Sequence, residues 1–190
     1  VLVADLVRWK GHGLLLQAVS RLRQSGSLPL NVAVVGRCRD RQGEAYLREL
    51  QRLAGSLQLA ADLVFATDVS DALPWIAAAD VLVSTAAHEP FGRTVVEALA
   101  LGKPVVAVRG GGPEEILAGC EAACLVDADP DSLAAGLAQW WGAARRRQVA
   151  DYARRRAGRF DLERMLGKVR RLYDEVLAAK PSCQGGQDER

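Results

Sequence analysis

The fold is decided by the stretch VLVSTAAHEPFGRTVVEALALGKPVVAV, residues 81–108. The apolar runs Val81–Ser84 and Pro104–Val108 each predict a buried strand. Between them, Arg93–Leu101 has the apolar spacing of a helix, and Gly102 stands where a glycine commonly ends one. A strand, a helix and a strand in this order form a βαβ unit, in which the two strands lie parallel.

The same alternation continues on both sides of this stretch. It predicts further strands at about Val1–Ala4, Leu30–Val35, Leu63–Ala66 and Ala123–Val126. It predicts further helices at Gly13–Gln24, Glu44–Leu57, Leu73–Ala78, Glu114–Ala118, Asp131–Trp141, Ala143–Arg156 and Leu162–Ala179. We therefore expect an α/β fold, a Rossmann-like parallel sheet of about six strands with helices on both faces. Residues 1–180 are predicted to form one domain, and residues 181–190 a disordered tail.

Composition excludes several classes of protein. Hydrophobic residues make up 49% of the 190 and charged residues 25%, as in globular domains. The net charge of +2 gives no case for a nucleic-acid partner. With two histidines and no C-x-x-C pair among four cysteines, no metal site and no cofactor are predicted. No apolar run reaches the roughly 18 residues of a membrane span, and no signal peptide is visible, so a cytoplasmic protein is expected. The chain opens on Val1 within an apolar run, which indicates a piece of a longer protein.

Ligands of an open parallel sheet bind beyond the carboxyl ends of the strands, so the loops after each strand hold the candidate sites. Lys10, in Trp9-Lys10-Gly11-His12, stands just before a helix, where it can reach an anionic ligand; the alternative is a solvated lysine. Gly36 allows the close approach of a ligand or forms a simple turn. No G-x-G-x-x-G follows it, so the dinucleotide fingerprint is missing.

The strongest candidate site lies in residues 84–97. Pro90 and Gly92 shape a turn, and the helix that follows offers the free N–H groups of residues 93, 94 and 95 to a diphosphate. Glu89 precedes this helix and Glu97 follows eight residues later, and carboxylates are good acceptors for sugar hydroxyls. The alternative is a capping carboxylate and an exposed helix glutamate. In a fourth loop, Gly111 and Gly112 allow backbone to approach phosphate or sugar, although flexible loops are glycine-rich too.

Taken together, these loops resemble the C-terminal domain of family 4 retaining glycosyltransferases of GT-B architecture. The ordered matches are W-K-G-H at 9–12, A-V-V-G at 33–36, F-A-T-D-V at 65–69, A-A-D-V-L-V-S-T at 78–85, E-P-F-G at 89–92, E-A-L-A-L-G-K-P-V-V-A at 97–107 and G-G-P-E-E-I at 111–116. The resemblance covers nearly the whole chain except the tail. It implies an N-terminal acceptor domain that is absent from this chain.

The resemblance also implies roles for single residues. Glu89 and Lys10 are expected to be catalytic, Glu89 near the transferred sugar and Lys10 on the phosphates. Glu97 is expected to hold the ribose hydroxyls. Backbone contacts to sugar, diphosphate and base are implied for Phe91, Gly92, Arg93, Thr94 and Val69. The family usually has Gly-Arg before the lysine, where this chain has Ala4 and Asp5. Arg8 or Arg37 could replace that cation, or Asp5 points elsewhere.

The function implied is retaining, metal-independent transfer of a hexose-like group (a hexosyltransferase of class EC 2.4) from a UDP-, GDP- or ADP-linked donor. The acceptor is left open between lipid-linked saccharides and polysaccharides, and the fragment alone is expected to be inactive. Two alternatives remain: a non-catalytic sugar-nucleotide-binding or scaffold domain, and a GT-B nucleotide-sugar epimerase. The basic clusters Arg145–Arg147 and Arg154–Arg156 are interpreted as a solvated helix face, with contact to anionic lipid at the inner membrane face as the alternative.

Overall fold

Six parallel strands form one sheet in the computed structural model, which describes residues 1–26, 30–67 and 69–178. The strand order is β3-β2-β1-β4-β5-β6. This order and the parallel pairing confirm the predicted Rossmann-like α/β fold. The strands are β1 (Leu2–Val3), β2 (Val32–Val35), β3 (Leu63–Ala66), β4 (Leu82–Ser84), β5 (Val105–Val108) and β6 (Ala123–Val126).

Each predicted helix forms, with ends within three residues of those expected. The helices are α1 (His12–Gln24), α2 (Arg41–Ser56), α3 (Leu73–Ala78), α4 (Arg93–Ala100), α5 (Gly111–Leu117), α6 (Pro130–Ala138), α7 (Ala143–Ala157) and α8 (Leu162–Ala178), with short 3-10 helices at Arg8–Lys10 and Gly158–Phe160. Helix α2 begins earlier than predicted because the Asp40 carboxylate accepts a hydrogen bond from the Gly43 N–H, 2.8 Å away, and so caps it.

The helices form two layers. From β1 the chain moves through β2 to β3 on one side, and from β4 through β5 to β6 on the other. Right-handed crossovers in opposite directions place their helices on opposite faces of the sheet. Accordingly α1 packs against α2 and α6, whereas α4 packs against α3, α5 and α7. The direction reverses between β1 and β4, which is the switch point where such sheets bind ligands.

Two arginines of α7 have a structural role. Arg146 donates hydrogen bonds to the carbonyls of Trp140 and Trp141, at 2.7 and 2.6 Å. Arg156 donates from Nε to the carbonyl of Ile116, 2.7 Å away at the end of α5. Each basic cluster therefore contributes one side chain that satisfies backbone carbonyls left open where a helix ends.

The chain divides into two compact units, Val1–Ala157 and a second one from Gly158 onward. The first contains the sheet and helices α1 to α7. In the second, the described residues form the 3-10 helix Gly158–Phe160 and helix α8. The predicted disordered tail at 181–190 lies outside the described residues.

Candidate functional site

One cleft of about 690 Å³ opens at the carboxyl ends of β1, β2, β3 and β4, at the switch point. Its wall holds nine of the residues predicted from the sequence: Lys10, Gly36, Val69, Glu89, Phe91, Gly92, Arg93, Thr94 and Glu97. Two predicted residues, Gly111 and Gly112, are not part of this wall. The loops that follow four separate strands therefore meet at a single place, as the fold predicts.

Lys10 and Glu89 form an ion pair in the cleft. The Lys10 ammonium donates a hydrogen bond to Glu89, and both side chains are largely buried, 17% and 20% exposed. The ammonium also lies 4.0 Å from the ring centroid of Trp9. The Thr85 hydroxyl, at the end of β4, donates to the Lys10 carbonyl at 2.6 Å. Backbone and side chain of Lys10 are thus both fixed, and Thr85 is a supporting residue that the sequence analysis missed.

Helix α4 presents its N-terminus to the cleft. Gly92 is its N-cap, and the Val95 N–H donates to the Gly92 carbonyl at 3.0 Å, so the prediction of a free Val95 N–H is wrong. The tight first turn uses that donor. In the described part of the chain the N–H groups of Arg93 and Thr94 make no hydrogen bond. Two N–H groups at the positive end of a helix form a seat for an anion.

Glu97 lies on the second turn of α4 and lines the same cleft. Its Oε1 is 3.7 Å from an Arg93 guanidinium nitrogen, and its side chain is 31% exposed. Because Arg93 itself is 84% exposed, this pair is weak, and the carboxylate remains open to hydroxyl donors. The cleft thus has one carboxylate before the helix and one on it.

The predicted glycines allow the close approach of neighbouring backbone segments. A Cβ on Gly36 would lie 1.7 Å from the Ala4 carbonyl oxygen, so this glycine lets the end of β2 pass the end of β1. A Cβ on Gly112 would lie 2.2 Å from the Phe91 carbonyl oxygen. The Gly112 N–H donates to the Glu89 carbonyl at 2.8 Å. Gly112, with Gly111 beside it, therefore fixes the loop that carries Glu89.

Asp5 is held by two arginines of the β2 loop. Its carboxylate accepts a hydrogen bond from Arg39 Nε at 2.6 Å and lies 3.4 Å from Arg37 Nε. Partial burial acts to raise the pKa of Asp5, but the hydrogen bond and charge of Arg39, together with Arg37, lower that pKa below its usual value. Arg8 lies elsewhere: it pairs with Glu49 at 2.6 Å and stacks over Tyr46. Of the two predicted replacement cations, only Arg37 lines the cleft, and the sequence analysis missed Arg39.

His12 is buried at the start of α1 and is not a cleft residue. Its ring meets Tyr46 edge to face, with centroids 5.7 Å apart. Burial lowers the pKa of His12 to about 4, so the imidazole is neutral at pH 7. This histidine belongs to the packing of α1 against α2 rather than to proton transfer in the cleft.

Among residues 1–26, 30–67 and 69–178, no group of three or more His, Cys, Asp or Glu side chains is placed to hold a metal ion. Within the same residues, no helix combines the length and the apolar character needed to cross a membrane.

The sequence of this chain is similar to those of known proteins. The family model described as "Glycosyl transferases group 1" matches residues 1–156. The chain belongs to this family. It is 32% identical over 181 residues to the lipopolysaccharide core biosynthesis glycosyltransferase LpsE of Rhizobium meliloti (strain 1021), covering 92% of this chain and 48% of that protein. It is 32% identical over 178 residues to a D-inositol 3-phosphate glycosyltransferase of Corynebacterium urealyticum, covering 90% of this chain and 41% of that protein.

A solved structure supports the same fold. Anabaena HepE in complex with UDP superposes with a TM-score of 0.77 at 26% identity, over 94% of this chain and 49% of that one. The chain thus spans about half the length of the relatives it matches.

Proposed function

We propose that this group 1 chain is the donor-binding, C-terminal domain of a family 4 retaining glycosyltransferase. Its substrate would be a nucleotide-diphosphate sugar, linked to UDP, GDP or ADP. The observation that carries the proposal is the single cleft in which Lys10, Glu89, Glu97 and the N-terminus of α4 meet. The UDP complex of HepE, a structural neighbour, supports a nucleotide donor.

The parts of the donor fit the parts of the cleft in order. The diphosphate would lie on the N–H groups of Arg93 and Thr94, with the Lys10 ammonium beside it. An ammonium has three N–H donors, so Lys10 can keep Glu89 and still donate to phosphate. Glu97 would accept from the ribose hydroxyls, Glu89 would face the transferred sugar, and the backbone at Val69 would meet the base.

The chemistry proposed is electrostatic. Transfer breaks the bond from the anomeric carbon to the diphosphate oxygen and forms a bond to the acceptor oxygen, whose proton is released. Negative charge develops on the leaving diphosphate, where Lys10 and the α4 amides are already oriented. No metal ion is required by this arrangement. The acceptor, a lipid-linked saccharide or a polysaccharide, would be bound by an N-terminal domain, so the chain alone would turn over no donor. We place the enzyme in the cytoplasm, with peripheral attachment to the inner membrane face a further part of the proposal.

A calorimetric titration of UDP, GDP and ADP into the 190-residue chain tests the donor site. We expect one nucleotide to bind and Glu97→Ala to weaken it by about ten-fold, because hydrogen bonds to a charged carboxylate contribute about 1.5 kcal/mol or more. Glu115→Ala, which removes an exposed glutamate of α5 that does not line the cleft, is the matched control. If no nucleotide binds, or if the two variants bind alike, the donor assignment is wrong.

Asp5 favours one second candidate, a non-catalytic sugar-nucleotide-binding domain. It places a carboxylate where the family pattern has the arginine that neutralises the diphosphate. These two functions and the epimerase alternative separate in the protein with its N-terminal half restored. A transferase would release nucleoside diphosphate only when an acceptor is present, a binding domain would release none, and an epimerase would convert the donor without any acceptor.

A further inference from the structure

The charged side chains that line the cleft are unevenly paired. Lys10 is matched by Glu89, and Arg93 lies by Glu97. A fourth carboxylate of the wall, Asp71, accepts a hydrogen bond from the Leu73 N–H at 2.9 Å. At the end of β2 two cations, Arg37 and Arg39, share the single carboxylate of Asp5. Among the cleft residues that the structure describes, this is the one cluster where cations outnumber carboxylates. An incoming diphosphate, which carries about two negative charges, therefore meets net positive charge at this cluster.

The geometry of both arginines leaves donors for a ligand. Each approaches Asp5 through Nε, at 3.4 Å for Arg37 and 2.6 Å for Arg39. A guanidinium has five N–H donors in a planar fork, so its terminal amino groups remain for another acceptor. Both side chains are about three-fifths exposed, at 62% and 61%, and both line the cleft. Their free donors are thus accessible to a molecule bound there.

We propose that Arg37 and Arg39 contact the diphosphate of the donor and that Asp5 is the positioning residue that holds them. This inference rests on the proposed function. It gives the diphosphate two supports: the α4 N-terminus with Lys10 on the β4 side of the cleft, and the arginine pair on the β2 side. The cation that the family pattern places after β1 is supplied instead from the loop after β2.

Asp5 has a definite part in this arrangement. Its lowered pKa means that it is ionised at neutral pH, so it attracts both guanidinium groups. Long arginine side chains lose conformational entropy when they bind a ligand, and a carboxylate that already orients them reduces that loss. The charge of Asp5 is itself neutralised, since two cations face it.

The test uses the 190-residue chain and measures affinity, at fixed ionic strength, for inorganic pyrophosphate, for UDP, GDP and ADP, and for the three corresponding nucleosides. Removing both cations, in Arg37→Gln/Arg39→Gln, is expected to weaken pyrophosphate and nucleoside diphosphate by about ten-fold or more. Nucleoside affinity should stay the same. The control is Arg8→Gln, which removes a positive charge from a residue that does not line the cleft and is bound to Glu49.

Asp5→Asn separates positioning from simple charge. A positioning role predicts weaker diphosphate binding even though the substitution removes a negative charge. Stronger binding by this variant would overturn the role given to Asp5. Equal affinities of the double variant and Arg8→Gln would overturn the arginine contact, as would an equal loss for nucleosides and diphosphates.

The same titrations separate this inference from the proposed function. If nucleotides bind and the arginine variants bind as well as wild type, the inference fails and the donor site stands. If pyrophosphate binds in an arginine-dependent way and none of the three nucleotides binds, the donor function fails while the anion contact stands. If wild type binds neither, both are wrong.

Discussion

Gly112 offers the sharpest test of how the site is held. In Gly112→Ala the new Cβ would lie 2.2 Å from the Phe91 carbonyl oxygen and 2.5 Å from the Phe91 Cα. These are backbone atoms, so the loop of residues 89–91 must move. Overpacking of this kind costs about 1–3 kcal/mol, and loss of the Gly112 to Glu89 hydrogen bond costs about 0.5–1.5 kcal/mol. We expect the free energy of unfolding to fall by about 1.5–4.5 kcal/mol.

Urea denaturation followed by tryptophan fluorescence measures this change. All four tryptophans, at 9, 75, 140 and 141, belong to the unit Val1–Ala157, so the signal reports on the domain that contains the cleft. The matched control is Gly55→Ala, because Gly55 is an exposed residue of α2 with no atom within 4 Å of the added Cβ. This control should be unchanged or stabilised by up to about 1 kcal/mol.

Displacement of the 89–91 loop should also weaken the nucleotide that binds wild type, since Glu89 and Lys10 would lose their shared geometry. If Gly112→Ala unfolds at the same urea concentration as wild type and binds nucleotide equally well, the glycine loop does not fix Glu89. The reasoning about close backbone approach would then be refuted.

Three further predictions concern the support of the cleft. The pKa of His12 is about 4 in the folded chain and near 6.5 in the unfolded chain, so the unfolded chain gains a proton first as pH falls. The free energy of unfolding should therefore drop by about 2 kcal/mol between pH 7 and pH 5. In urea titrations at each pH, His12→Gln should show a smaller drop. Arg156→Gln leaves the Ile116 carbonyl without its donor and should lower the free energy of unfolding by about 1–3 kcal/mol, whereas the exposed Arg147→Gln should change it by less than about 0.5 kcal/mol; equal effects would contradict the capping role. Thr85→Val removes the donor to the Lys10 carbonyl and should cost about 1–2 kcal/mol, and an unchanged thermal midpoint would show that this bond does not fix the loop.

The fold followed from the sequence because its strands and helices have clear local signals. The βαβ stretch at 81–108 and the Asp129-Pro130 start of α6 depend on neighbours along the chain, and both are present. Lys10, Glu89 and Glu97 could be gathered into one site because a parallel sheet brings its carboxyl ends together. The start of α2 was predicted three residues too late, since the Asp40 cap was not recognised.

What the sequence did not provide was the partner of each side chain. Arg8 is near Asp5 along the chain, and Arg37 is near it across the sheet. Only the packing of α2 explains why Arg8 pairs with Glu49 instead. Arg39, after β2, pairs with Asp5, after the neighbouring strand β1. The spacing of residues along the sequence does not reveal this contact. The glycines had a correct signal, a need for close approach, but the approaching atoms are those of Ala4 and Phe91. Tertiary packing determines which backbone segment fills that space.

The ion pair between Lys10 and Glu89 has a consequence for how salt acts on this cleft. Mobile ions screen the attraction between a phosphate and exposed cations, so binding that depends on net positive charge weakens as salt rises. Here Lys10 already has a fixed carboxylate beside it, and Asp5 faces two arginines. The net positive charge that the diphosphate meets is therefore smaller than the number of basic side chains. Affinity should therefore decline with ionic strength less steeply than a count of the basic side chains in the cleft would give.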